Sequence, residues 1–415
     1  MVRDRRPQKQ EEGVVVVIRI MHTGDEHIDT ESHGAINPKT GINTAWESNA
    51  ACLRAIATAA VDHNVDAFVS AGDNFKSGRP SQEAILMFVE ALSPVAEAGI
   101  AIVLLDGNHH KTGVSADHRT VIYTVALMLR AKGAKVYTAS EPGLIRLDGG
   151  LQIAALPWLS KTRILNHLGA SDLTPSEGDT RVAEYAVQSL TKMSDDADAD
   201  SPLIMASHVT VDDLRIDHLA ADARRGSEMD LASLFSEPVI PRHAIEELPF
   251  SYAALSHIHT PQSFGGKVHY AGSPNRLTFT DMPDEKGANL VTIDDHGVAT
   301  VERIITPARV MAEIDLEADN YASVLHSLNP DTLVQVRLET GEPEMPRAVR
   351  DAIAAAGAIL AETKPRPAPR PEPVFYQLPD KVSPMEALRT WATHNAPKDI
   401  DPEKLVEFAL KLQEA

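Results

Sequence analysis

Five short apolar runs in this chain each lead directly into an aspartate, asparagine or histidine. "VVVVIRI" (14–20) is followed by "HTGDEHID", with Asp25 and His27. "DAFVSA" (66–71) runs into "GDNF" with Asp73, and "IAIVLL" (100–105) into "DGNHH" with Asn108 and His109. "PLIMAS" (202–207) precedes His208, and "SYAALS" (251–256) precedes His257 and His259. Runs of this length and β-branched content read as strands. In open α/β sheets, ligands gather beyond the carboxyl ends of strands, so these residues are candidates for one site.

The remaining pattern supplies the rest of a mixed sheet system. Further strands are expected at 151–156, 268–271, 288–293 and 298–304, with helices at 46–62, 81–97, 118–132 and 180–193. From Val310 a smaller α/β pattern restarts and runs to residue 363, followed by the Pro-rich segment "KPRPAPRPEP" (364–373). Residues 374–415 carry two amphipathic helical patterns, the first opened by Ser383, Pro384 and Glu386 as a capping box. The organisation expected is a charged tail at 1–13, a main domain at 14–308, a cap domain at 309–363, the linker, and the C-terminal helices.

Composition narrows the chemistry. The single cysteine, Cys52, leaves no internal disulfide and no Cys-rich zinc site, and fits a reducing cytoplasm. No apolar run approaches the roughly 20 residues that span a bilayer, so no membrane association is expected. The formal net charge of −20 argues against a large basic face for nucleic acid, although bound divalent ions would supply local positive charge.

His257 and His259 stand one residue apart, and alternate strand residues share a side, which would aim both imidazoles at one spot. Taken alone, the pair reads better as polar residues at a strand end. The whole set says more. Two divalent ions roughly 3.5–4 Å apart need a bridging carboxylate, and Asp73 is placed for it. Asp25, His27 and His259 complete one ion in this reading; Asn108, His208 and His257 complete the other. Mixed nitrogen and oxygen donors suit manganese, iron or zinc better than calcium.

In the order Asp-x-His, Gly-Asp, Gly-Asn-His, His, His-x-His, the chain resembles the calcineurin-like metallophosphoesterases, and among them the SbcD family of DNA-repair nucleases. "ALPWL" (155–159) and "HYAGSPNRLTF" (269–279) extend the likeness. The resemblance implies an α+β fold: a four-layer α/β/β/α sandwich of mixed sheets with a small α/β cap. It implies a DNA nuclease, exonuclease or single-strand endonuclease, acting in the cytoplasm in repair, recombination or phage defence. Its cofactor would be two manganese ions, with Asp25, His27, Asp73, Asn108, His208, His257 and His259 as ligands and His109 at the scissile phosphate. The implied partners are DNA, an SbcC-like SMC-family coiled-coil ATPase and a second copy of the chain. The dimer helices would be 81–97 and 118–132, where Ile85, Phe88, Ile122 and Leu129 give apolar faces; ordinary core packing explains such faces equally well.

Three positions depart from the family pattern. His110 stands where the third motif usually has aspartate, Lys76 where the second has Asp or His, and Ser256 where a glycine usually precedes His-x-His. Lys76 and Arg276 are candidate phosphate or DNA contacts. A phosphodiesterase for a small nucleotide, or a catalytically weakened scaffold subunit, remain open as alternatives.

Overall fold

The computed structural model describes residues 17–110, 120–214, 237–342 and 344–365, with Arg389, Asp401, Glu403, Lys404 and Val406 beyond them. The tail at 1–13, nearly all of the linker and the two C-terminal helical patterns therefore lie outside the described residues.

The chain opens with β1 (Ile18–Thr23), α1 (Thr44–Asp62), β2 (Ala67–Ser70), α2 (Gln82–Ala91), α3 (Ser93–Glu97), β3 (Ala101–Leu105), α4 (Val121–Ala131) and β4 (Val136–Ala139). It continues through β5 (Gly143–Arg146), β6 (Gln152–Leu156), α5 (Lys161–His167), α6 (Pro175–Asp195), β7 (Leu203–His208), β8 (Thr210–Val211), β9 (Val239–Ile240) and α7 (Arg242–Glu246). Then follow β10 (Tyr252–Ser256), β11 (Gln262–Ser263), β12 (Val268–Tyr270), β13 (Gly287–Ile293) and β14 (Ala299–Ile305). Last come β15 (Met311–Asp315), α8 (Tyr321–His326), β16 (Leu333–Arg337), α9 (Arg347–Ala355) and β17 (Ile359–Lys364).

Two six-stranded sheets form the body, in the orders β14-β13-β1-β2-β3-β4 and β11-β12-β10-β7-β6-β5. Both are parallel through the centre; the first has antiparallel strands only at its β13–β14 edge, its other edge strand β4 being parallel to β3, and the second has an antiparallel strand at each edge. The apolar strand runs follow from burial on both faces. In β10, Tyr252 and Ala254 enter the core between the sheets, while Ala253 and Leu255 face the helices. In β3, Val103 and Leu105 point inward and Ile102 and Leu104 outward. One apolar cluster joins the first sheet to α1–α4, a second joins the other sheet to α5–α7, and a third lies between the sheets. This is the four-layer α/β/β/α sandwich. β15, β16 and β17 make a separate parallel sheet, packed with α8 and α9 around Ile314, Val334, Val336 and Ile353.

Several local features differ from the sequence reading for clear reasons. The helix expected over 81–97 divides at Leu92, because Pro94 cannot donate to a continuing helix. α6 starts a turn and more before 180, at a capping box of Thr174 and Glu177 with Pro175 at its first position. β1 runs on to Thr23, so His22 is a strand residue. Phe88, Ile122 and Leu129, read as a candidate dimer face, are fully buried in the chain's own core; the exposed apolar residues of those helices are Leu86 and Leu127. Among the described residues, no helix is long and apolar enough to cross a membrane.

His22 sits buried between the sheets beside Tyr252 and His269. Asn289 donates to the Tyr252 hydroxyl (3.2 Å), whose own proton is then available to His22 Nδ1 at 2.9 Å. Burial, with His269 and Arg303 nearby, pushes the His22 pKa down to about 3. An unfolded histidine titrates near 6.5, so the unfolded chain takes up this proton first. The stability His22 confers is thus complete above pH 6.5 and is lost as pH falls toward 3, about 2 kcal/mol of it by pH 5. Urea unfolding at pH 7.5 and pH 5 is expected to show a smaller acid loss in His22→Asn than in the native chain; equal losses would mean that His22 does not stay neutral.

Candidate metal centre

The strand ends set the geometry. β1, β2, β3, β7 and β10 finish at one end of the two sheets, and the loops after them interlock through their main chains. Asp25 N–H donates to Gly72 O (2.9 Å), His27 N–H to Asp73 O (3.0 Å) and Ile28 N–H to Asn74 O (3.0 Å). Asp25, His27, Asp73 and His257 all adopt the left-handed backbone, with φ of 54°, 41°, 50° and 98°. Such conformations are costly outside glycine and persist where surrounding contacts over-determine them. Two glycines make room. A side chain at Gly72, whose φ is 119°, would strike the His208 ring, and one at Gly107 would strike the Asp73 carboxylate and amide.

All seven residues read as ligands converge here, along with His109. Three groups have donor atoms within 4.8 Å of one another: Asp25, His27 and His259; His27, Asp73 and His109; and Asp73, His208 and His257. Asp73 belongs to two of them. Its Oδ2 lies 3.3 Å from His208 Nε2 and 3.8 Å from both His27 Nε2 and His109 Nε2, while Oδ1 accepts the His109 main-chain N–H at 3.0 Å. The Asn108 side-chain oxygen lies 2.9 Å from His208 Nε2 and 3.2 Å from His257 Nδ1. His257 and His259 do not share one target. The chain leaves strand geometry at His257, so this residue joins Asp73 and His208 while His259 joins Asp25 and His27.

The electrostatics favour a cation. Burial alone would raise the Asp73 carboxyl, but the His208, His27 and His109 imidazoles hold it well below the usual range. Burial would lower His208, yet the Asp73 charge and hydrogen bond lift it to about 9. A buried carboxylate facing several imidazoles is a donor set that fits a divalent ion, which can take the place of such a proton.

Three of the inward-facing imidazoles, those of His109, His208 and His257, are turned by an acceptor on the far nitrogen, the arrangement that fixes tautomer and aim in metal-binding histidines. His208 Nδ1 lies 3.1 Å from Ala71 O, and His257 Nε2 lies 2.9 Å from Glu237 Oε2. His109 Nδ1 lies 3.0 Å from Lys76 O. The main chain is held as firmly. His257 N–H donates to both Asp25 carboxylate oxygens, and Asn49 Nδ2 donates to His27 O. The fully buried Lys286 ammonium donates to His259 O (2.9 Å), Asp281 Oδ1 (3.0 Å) and Asp284 Oδ2 (2.9 Å). Removing that lysine alone would strand two acidic groups, at a cost of about 3–5 kcal/mol. Glu237 and Lys286 went unnoticed in the sequence because each acts from a distant loop with no motif around it.

The departures from the family pattern take definite places. Ser256 is buried, with its hydroxyl against Gly24, where any side chain on residue 24 would collide with it. His110 is buried too, with Nδ1 3.3 Å from Asp106 Oδ1 and Nε2 accepting the Phe75 N–H at 3.3 Å. Lys76 meets His109 through its carbonyl. Arg276 aims three nitrogens at the carbonyls of Met282, Arg309 and Asp284, at 3.3, 2.9 and 2.9 Å.

Glu237→Ala frees the His257 ring to rotate. Calorimetric titration is expected to show divalent-ion affinity lowered by about 10–100-fold. Native affinity in that variant would remove Glu237 from the site.

The sequence profile of the calcineurin-like phosphoesterase family matches residues 18–261. The chain is 24% identical over 342 residues to the D subunit of nuclease SbcCD of Escherichia coli K12, covering 78% of this chain and 79% of that one. It is 25% identical over 300 residues to the D subunit of nuclease SbcCD of Bacillus subtilis, covering 69% of each. The crystal structure of TT1561 of Thermus thermophilus aligns with 69% of this chain and 99% of its own, at 14% identity and a TM-score of 0.36. The family match spans more than half of the chain and takes in the strand-end loops from Asp25 to His259, so the chain belongs to the calcineurin-like phosphoesterases and is a metal-dependent hydrolase of ester bonds.

Proposed function

We propose that this chain is a two-metal DNA nuclease that hydrolyses phosphodiester bonds in the presence of manganese, as the nuclease subunit of a complex with an SbcC-like SMC-family ATPase. One observation carries the reading: the Asp73 carboxylate is common to two donor groups, one with His27 and His109 and one with His208 and His257, while His27 also groups with Asp25 and His259, and Asn108 stands against His208 and His257. A shared carboxylate is what a pair of adjacent cations requires. The similarity to two SbcCD nuclease subunits over more than two thirds of their length supports the substrate and the partner. The mixed donors support manganese over calcium.

When bound, the two ions supply Lewis-acid charge for the phosphoryl oxygens and acidify the attacking water. The chain's own residues do the rest. Asp73, Asp25, His27, Asn108, His208, His257 and His259 would hold the ions, most of them from buried positions. His109 is only partly buried, and its Nε2 faces the centre while Nδ1 is engaged with Lys76 O. Held by its Nδ1–H, the ring turns Nε2 toward the phosphate, where that nitrogen, when it carries a proton, steadies a developing oxyanion or protonates the leaving oxygen. We read residues 309–363 as a cap beside the DNA path, and 374–415 as the segment that docks on the root of the ATPase's coiled coil. The linker has five prolines in ten residues and at about 3.1 Å per residue could carry that segment some 30 Å.

Asp73→Ala is expected to lower occupancy of both ions in metal analysis of the purified protein; normal occupancy would remove Asp73 from the bridging role. His109→Ala is expected to lose manganese-dependent cleavage of short single-stranded DNA by about 10²-fold or more while keeping both ions. Loss of metal in that variant would make His109 a ligand instead. Deleting 374–415 is expected to abolish pull-down of the ATPase and spare cleavage of short DNA; retained pull-down would place the partner surface elsewhere.

A further inference from the structure

We propose that Asp29 is the positioning residue for His109, acting across the peptide group between Lys76 and Ser77. The inference rests on the reading of His109 as the group that meets the phosphate. His109 Nδ1 lies 3.0 Å from Lys76 O, and a carbonyl has no proton to give, so this contact makes Nδ1 the donor and leaves Nε2 toward Asp73. The Lys76 carbonyl shares its peptide group with the Ser77 N–H, which donates to Asp29 Oδ2 at 3.3 Å. The preceding amide, Lys76 N–H, donates to Asp29 Oδ1 at 2.6 Å. One carboxylate thus grips two successive amides and polarises the peptide whose oxygen holds the imidazole. Hydrogen bonds in such a chain strengthen one another.

The neighbouring residues fit this role. The loop is pinned on its other side by His110, whose Nε2 accepts the Phe75 N–H while Nδ1 faces Asp106. His110 therefore sets the loop and does not touch the His109 ring through a carboxylate, as an acidic residue in its place could. Asp29 itself rides on the loop after β1, two residues beyond His27, and that loop is tied by main-chain bonds to residues 72–74. A shift of Asp29 is then a shift of the surface on which His109 is aimed. The orienting carboxylate lies in the first motif's loop and works through one peptide group.

The test compares the full-length native chain with Asp29→Asn and Asp29→Ala, each with manganese. The asparagine substitution keeps one acceptor for Lys76 N–H but loses the charge and the second acceptor. Expected in both variants are unchanged metal stoichiometry and KM on short single-stranded DNA, and kcat lower by about tenfold to a hundredfold, more so for alanine. ¹⁵N NMR of histidine-labelled protein, with His109 assigned from His109→Gln, is expected to show the Nδ1–H form in the native chain and a mixture of tautomers in the variants. Native kcat and an unchanged His109 tautomer in Asp29→Asn would overturn the proposal. So would loss of metal or of the fold in the asparagine variant, which would make Asp29 structural only. If the native chain cleaves no DNA, the nuclease reading fails, and the tautomer comparison still decides whether Asp29 aims His109.

Discussion

A single buried carboxylate organises this molecule. Asp73 lies within 4 Å of three imidazoles and accepts a main-chain N–H, with its charge held by those contacts against the cost of burial. Everything around it is arranged so that this charge can be kept. Two sheets deliver five strand ends to one place, glycines at 72 and 107 let the rings and the carboxylate approach, and the loops stay in left-handed conformations because their amides are tied to one another. An isolated buried carboxylate would neutralise or unfold its surroundings. One that faces histidines at this spacing is stable as a place for cations.

The structure also shows how the surrounding shell is built. His208, His257 and His109 each present one nitrogen to the centre and use the other on an acceptor: a main-chain carbonyl, the Glu237 carboxylate, and a second main-chain carbonyl. The Lys286 cluster fixes the His259 main chain from below. These supports come from loops far apart in the chain. They tie the smaller surrounding segments, including 279–286 and 237–246, to the same point.

The inner residues were legible in the sequence because each one follows a strand whose apolar run is unmistakable. Two buried faces make those runs continuous, and the next polar residue is then conspicuous. The supporting residues were not legible. Glu237, Asp281 and Lys286 carry no pattern of their own, and Asp29 looks like any loop aspartate until the amides of Lys76 and Ser77 are seen on it. Short edge strands such as β4 and β5 escaped for a different reason: four residues with half-exposed faces give no clear period. The helix faces around Phe88 and Leu129 were legible as apolar but not as to what they cover, since a period reports a buried face and not the surface against it.

The central claim is that two cations share the Asp73 carboxylate. Anomalous diffraction from crystals of the native chain grown with manganese tests it directly. Two peaks roughly 3.5–4 Å apart, one on each side of Asp73, are the predicted result. A single peak, or two peaks of which one does not touch Asp73, would contradict it.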